Sequence, residues 1–312
     1  SMFARSEPPT LDHMIGQGRV VERVKVALEA AIADGTRLPH MLFVGVAGSG
    51  KTMLASLLAR EMGCPLHTSL GSTLAFPPAM NSWLLGPANR DVGLIDEIHT
   101  LGSNGQHSLL RALEDGRIYV NRCPTEKPVE VEINDFTVIG ATTDEHLLIK
   151  PLRDRFRLVL RFDFYSADDL HELLRQRIKR LGWDVADEAI EPIARRGLGT
   201  PRIALRLLES AHRTSRAEGA DRVTRTHVDR TVELEGLCSV GLDELHQRYL
   251  CILATANRPL RLNVLASELG LPRATISEVI EPTLIRLGFL LKDESRRLIT
   301  ESGLNHLVSQ TA

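Results

Sequence analysis

The stretch HMLFVGVAGSGKTMLASLLAREMG, His40 to Gly63, decides the fold. It opens on HMLFVG, an apolar run ended by glycine, which reads as a short buried strand. It closes on KTMLASLLAREMG, where Leu54, Leu57, Leu58 and Met62 make the apolar face of a helix. Between them, Gly45-x4-Gly50-Lys51-Thr52 fits the phosphate-binding loop in the strand-loop-helix setting that this loop requires. Glycines let successive N–H groups point into one concavity, where they bond phosphate oxygens. The helix N-terminus adds partial positive charge. Lys51 is expected to reach the β- and γ-phosphates of a nucleotide, and Thr52 to ligate Mg²⁺.

The same grammar continues on both sides. Val20, Val21, Val24, Leu28 and Ala31 recur at helical spacing and stop at Gly35. VGLIDE (92–97) reads as a second buried strand, FTVIGATT (136–143) as a third and RLVLRFDFY (157–165) as a fourth. GQHSLLRALEDG, closed by Gly116, is a helix between the second and third. Strands alternating with helices predict an α/β domain with a parallel sheet covered on both faces. After Tyr165 the pattern changes. Ser166 caps an amphipathic helix, and further helices follow with no strand pattern until about Gly241. From Leu242 the order is helix, two helices around Gly270, then FLLKDESRRLIT, two short strands around a polar turn. That is a winged-helix order. Three domains are expected: 1–165, a nucleotide-binding α/β domain; 166–240, an all-helical lid; and 241–312, a winged helix.

Composition bounds the function. The chain has 312 residues, 43% hydrophobic and 25% charged, enough for several packed cores. A net charge of −2 neither predicts nor excludes nucleic-acid binding, which needs a local basic face. Cys64, Cys123, Cys238 and Cys251 form no CxxC, so reduced thiols in a cytoplasmic protein are expected. No apolar run of membrane-spanning length occurs.

Other residues extend the phosphate chemistry. Asp96, ending an apolar strand, is expected to hold the Mg²⁺ shell, and Glu97 beside it to polarise a water for attack on the γ-phosphate. An adjacent Asp-Glu pair favours hydrolysis over transfer to a bound acceptor. Thr142 and Thr143 end the third strand, where a hydroxyl would meet that water or phosphate. Arg153 and Arg155 are candidates to reach the γ-phosphate of a neighbouring subunit, as an arginine finger does. Arg202 stands at the first turn of a helix, where a cation is unfavourable, so contact with the nucleotide phosphates is its expected task.

Taken in order, LDHMIGQ, GVAGSGKT, LIDEIH, GATT, PLRDRF, DFY, GTPRIALRL, GLDE and EPTLIRLGFL resemble RuvB, the motor family of bacterial Holliday-junction branch migration. The resemblance runs from about Thr10 to Leu307. It implies an AAA+ ATPase that uses ATP and Mg²⁺, forms a homo-oligomeric, hexameric ring on double-stranded or four-way DNA, and is placed there by RuvA. It implies catalytic roles for Asp96, Glu97, Thr143, Arg153 and Arg155, with Thr52 and Asp96 as metal ligands. Nucleotide contacts are implied for Ile15, Gly45, Val46, Ala47, Gly48, Ser49, Gly50, Lys51, Thr52, Met53, Tyr165, Pro201 and Arg202. Lys292, Arg296 and Arg297 in the wing are the implied DNA contacts.

The chain departs from the family at several points. Met14 replaces a tyrosine, and Val46, Ala47 and Ser49 stand where the loop has Pro-Pro and Leu. Asp144 replaces an arginine after GATT. The segment corresponding to the RuvA-docking hairpin, 117–133, is more polar, and the wing carries Asp293 and Glu294 among its cations. An ATP-driven DNA translocase is the leading reading. A remodelling or loading ATPase that acts on a protein partner, in a specialised or mobile-element setting, is the alternative.

Overall fold

The apolar runs that bracket the glycine loop become the middle of a parallel sheet. In the computed structural model, which describes residues 8–120 and 129–311, the first part of the chain runs α1 (Gly18–Asp34), β1 (Met41–Val44), α2 (Lys51–Glu61), β2 (Leu66–Leu70), α3 (Gly71–Leu74), α4 (Pro77–Leu85) and β3 (Val92–Asp96). It continues through α5 (Gly102–Asp115), β4 (Arg117–Val120), β5 (Val129–Glu132), β6 (Thr137–Thr142), α6 (Lys150–Arg155), β7 (Leu158–Arg161) and α7 (Ala167–Leu181). Five strands pair in the order β2-β3-β6-β1-β7, all parallel.

Alternation within the strands supplies both faces. Met41 and Phe43 join Leu94, Ile139 and Ala141 in one cluster, under Val24 and Leu28 of α1 and Leu54 and Leu58 of α2. Leu42, Ile95 and Val138 point the other way, onto Leu84 of α4, Leu109 of α5 and Leu152 of α6. The four expected strands are all present, and a fifth, β2, is added at the sheet edge. Its sequence, LHTSL, is half exposed, because an edge strand with one covered side needs no apolar run. The pair β4–β5 forms an antiparallel hairpin. Its tip, including Cys123, lies outside the described residues.

The chain divides into two units, Ser1–Gly182 with Gly199–Arg202, and Trp183–Leu198 with Ile203–Ala312. In the second unit, α8 (Asp187–Arg196), most of α9 (Pro201–Ala217) and α10 (Arg225–Leu234) are joined by a two-residue parallel pair, β8 (Asp184–Val185) and β9 (Arg222–Val223). Two residues are too few to leave a strand period in the sequence, and the region reads as wholly helical there. Beyond it lie α11 (Glu244–Ala256), β10 (Leu260–Arg261), α12 (Leu262–Leu269), α13 (Arg273–Thr275), α14 (Glu281–Arg286), β11 (Leu290–Lys292), β12 (Arg296–Ile299) and α15 (Glu301–Thr311). This is the winged helix, with sheet order β10-β12-β11 around Tyr249, Leu253, Leu265, Ile276 and Leu284. The second of the two helices expected around Gly270 is interrupted by a π turn at Ile276–Ile280. Pro282 has no N–H to bond back one turn, so the ladder slips there.

Among the described residues no helix is long and apolar enough to cross a membrane. Cys64, Cys238 and Cys251 are free thiols.

Candidate active site

Strand register brings the predicted chemistry to one edge. Val44 pairs with Thr142, and Ile95 with Gly140, so β1, β6 and β3 end side by side. Because β6 lies between β1 and β3, Thr142 and Thr143 stand between the glycine loop and Asp96-Glu97. Ligands of open parallel sheets bind at this carboxyl edge. The loop is tied to it by Gly45 N donating to Thr142 O at 3.1 Å.

The loop has the form that a phosphate needs. Gly48 and Gly50 take φ of +79° and +103°, values that side chains resist. A Cβ on Gly48 would lie 2.6 Å from Cβ of Arg202, and one on Gly45 would lie 2.8 Å from Cβ of Phe162. Arg202 is therefore beside the loop, with Pro201 buried next to it. Lys51 is 5% exposed and donates from Nζ to Gly45 O at 2.7 Å and Val46 O at 2.9 Å. Burial pushes its pKa below the ordinary lysine value, against the opposing pull of Glu97 and Asp96. Ser49 is 1% exposed, and its Oγ has no hydrogen-bond partner among the described atoms. An unpaired buried hydroxyl costs about 1–3 kcal/mol, a deficit that a bound nucleotide or water would remove.

The far wall of the cradle is apolar. Tyr165, 5% exposed, donates its hydroxyl to Ser49 O at 3.2 Å, and burial raises its pKa to about 12. Gly16 exists for this ring, since a Cβ there would lie 2.6 Å from Cε1 of Tyr165. Met14 and Met53 bring their methyl groups within 3.7 and 3.6 Å of a Cβ built on Gly50. Ile15 is half-buried next to Met14. Gln17, which the sequence reading passed over, clasps the segment by exchanging two hydrogen bonds with the Asp163 backbone.

The acidic end is equally defined. Asp96 Oδ1 accepts from Glu97 N at 3.1 Å. Glu97 takes φ +47°, a left-handed conformation uncommon for a residue with a side chain, and such strain gathers at functional sites. Thr143 is exposed, with N and Oγ1 each 3.4 Å from Glu97 Oε2. His99, also missed, touches both Glu97 and Thr142. A histidine two residues after the acid pair was the signal available for it.

The donors suit Mg²⁺. Thr52 and Asp96 offer hard oxygens, and among the described residues no cluster of three or more His, Cys, Asp or Glu would hold a metal alone. Mg²⁺ binds in that way, completing its shell from phosphates and water. Arg153 is half-buried in α6. Arg155 is turned back onto its own chain, donating from Nη2 to Leu113 O, with Nε buried and unpaired.

The wing requires a correction. Arg297 is not placed for a DNA contact: it is 4% exposed and donates from Nε to Glu281 Oε1 at 2.7 Å. Lys292 pairs with Glu281 Oε2 at 2.8 Å, and Tyr249 donates to Oε1 at 3.1 Å. Glu281 is fully buried, so the two cations compensate it and are compensated in turn. Arg296 faces the other side of β12, exposed, and directly opposite Arg261 of β10, which is exposed too.

Comparison with known proteins agrees along the whole chain. The family model of the Holliday junction DNA helicase RuvB P-loop domain matches residues 6–162. Those of the RuvB AAA lid domain and the RuvB C-terminal winged helix domain match 165–237 and 239–308. The Holliday junction branch migration complex subunit RuvB of Thermotoga maritima is 37% identical over 304 residues, 96% of this chain and 91% of that one. Its counterpart in Anaeromyxobacter sp. (strain K) is 36% identical over the same share of this chain and 89% of its own. The solved structure of the Thermotoga maritima RuvB Holliday junction branch migration motor superposes with a TM-score of 0.83 at 36% identity, covering 97% of this chain and 98% of that one. With its fold and its nucleotide edge in agreement, the chain belongs to the RuvB family.

Proposed function

We propose that this chain is an ATP-hydrolysing motor that translocates double-stranded DNA and drives branch migration of Holliday junctions in recombination and repair. The carrying observation is the convergence of Lys51, Asp96-Glu97 and Thr143 on the ends of three adjacent strands. Lys51 holds the phosphates, Thr52 and Asp96 hold Mg²⁺, and Glu97 polarises the attacking water. Bound Mg²⁺ would offset the charge on the phosphates. Arg202 reports the nucleotide state from the first turn of α9. Arg153 or Arg155 acts on the nucleotide of the next subunit in a hexameric ring, Arg155 first leaving Leu113. Residues 1–165, 166–240 and 241–312 serve as motor, lid and DNA-facing modules. The protein works in the cytoplasm.

DNA contact is assigned to the outer face of the wing. There Arg261 and Arg296 stand opposite each other, a like-charge pair that costs stability unless an anion joins it. The internal use of Lys292 and Arg297 favours the second reading, an ATPase that remodels a protein. Duplex binding over a salt series separates the two. Affinity that falls steeply with salt supports the DNA motor, since phosphate contacts release counterions. No binding at low salt supports the second reading.

A further inference from the structure

His99 stands on the short 3₁₀ turn Ile98–Leu101, two residues past Glu97, with 14% of its side chain exposed. Its Nδ1 lies 2.9 Å from Thr142 Oγ1 and 3.3 Å from Glu97 Oε2. Nε2 lies 3.8 Å from Asp144 Oδ2, too far for a direct hydrogen bond. A carboxylate oxygen has no proton to give, so a bare Nδ1 would oppose lone pair to lone pair. As the donor to Glu97, His99 carries its proton on Nδ1, shared between Thr142 Oγ1 and Glu97 Oε2.

The other partners of Glu97 are weaker anchors. Thr143 approaches Oε2 only at 3.4 Å, and its hydroxyl gives its proton to Asp144 Oδ2 at 2.6 Å. Thr142 is fully buried in β6, and its Oγ1 also accepts from Asp144 N at 2.9 Å. His99 thus links a partly exposed carboxylate to a buried strand end. All the described side-chain contacts of this carboxylate fall on Oε2, none on Oε1.

We propose that His99 is a positioning residue for hydrolysis, pinning Oε2 of Glu97 so that Oε1 is left to meet the attacking water. This rests on the reading of Glu97 given above. In that step the water oxygen bonds to the γ-phosphorus and Oε1 takes a water proton. The bond to the bridging oxygen breaks, and its electron pair leaves on ADP. A glutamate free to rotate would spend much of its time misaimed, and misplacement by about 1 Å can cost about a hundredfold in rate.

The test uses the full chain carrying His99→Ala, His99→Asn and His99→Gln, each first checked for an unchanged unfolding midpoint. An asparagine amide reaches the place of Nδ1, whereas a glutamine amide reaches that of Nε2. His99→Ala should lower kcat between about tenfold and about a hundredfold, with KM and the Kd for a non-hydrolysable ATP analogue within about twofold. His99→Asn should regain most of that rate, and His99→Gln should not. A readout independent of turnover is long-range ¹H–¹⁵N spectroscopy of the imidazoles, which should find the His99 proton on Nδ1. An unchanged kcat in His99→Ala, equal rescue by Gln, or a bare Nδ1 overturns the proposal. Glu97→Gln separates the two levels: if it keeps full activity the reading of Glu97 fails, and if it is inactive while His99→Ala is normal only the role of His99 fails.

Discussion

Lys51 in the glycine loop and Arg297 in the wing are covered to nearly the same degree, 5% and 4% exposed, yet they are available to very different extents. Lys51 is held by two neutral carbonyl oxygens. A phosphate can replace them without stranding a charge. Arg297 is held by a buried carboxylate, and drawing it toward DNA would leave Glu281 unpaired in the interior. The lesson is that a formal charge is not a binding capacity. What the partner group is, and what becomes of it on release, decides whether a cation can serve a ligand.

That contrast can be broken most forcefully at Glu281. Glu281→Ala should destabilise the winged helix by about 3–5 kcal/mol, because Arg297 stays buried without a partner. Denaturant unfolding followed through the winged helix reads this, and a loss under about 1 kcal/mol would mean that the pair is dispensable. The pH dependence has a definite sign. Burial raises the Glu281 carboxyl, but Arg297 and Lys292 more than offset it and hold it below the ordinary 4.5. With the folded value below the unfolded one, its stabilisation is full above that ordinary value. It disappears as pH falls through the lowered one.

Next in size is Lys51→Ala. The loop keeps its fold, since the carbonyls lose only a replaceable donor, but nucleotide binding should weaken by about 3 kcal/mol, more than a hundredfold. Calorimetric titration with ATP measures it. The smallest effect sharpens the contrast from the wing's other side. Arg261→Ala with Arg296→Ala should reduce the salt slope of duplex binding by about 2, while the fold is kept. Arg297→Met strands Glu281 and should destabilise the winged helix much as Glu281→Ala does; measured on the fraction that stays folded, the slope should be unchanged.

The same contrast marks what the sequence could say. The glycine loop was legible because its spacing, its strand and its helix all constrain one another. β1, β3 and β6 were legible because each holds an unbroken apolar or glycine run, Met41–Val44, Val92–Ile95 and Val138–Ala141. β2 was not, being an edge strand of mixed polarity, and neither was the π turn at Ile276–Ile280, which depends on one missing N–H at Pro282. The wing misled for a specific reason. In Arg296-Arg297-Leu298-Ile299 each face of the strand receives one arginine and one aliphatic residue, so alternation does not say which arginine is inside. The answer lay in Glu281, 16 residues away in another element. His99 went unassigned because its role comes from a strand end 43 residues further on.

The central claim is that the edge formed by β1, β6 and β3 hydrolyses ATP and that hydrolysis is coupled to DNA. Its most direct test is the steady-state ATPase rate of the full chain and of Glu97→Gln, each with and without four-way DNA. The expected result is a wild-type rate that DNA stimulates, and a Glu97→Gln rate lower by about 10²–10⁴ that DNA does not restore, with ATP binding intact. A Glu97→Gln chain that hydrolyses ATP at the wild-type rate, or a wild-type rate indifferent to DNA, would contradict the account.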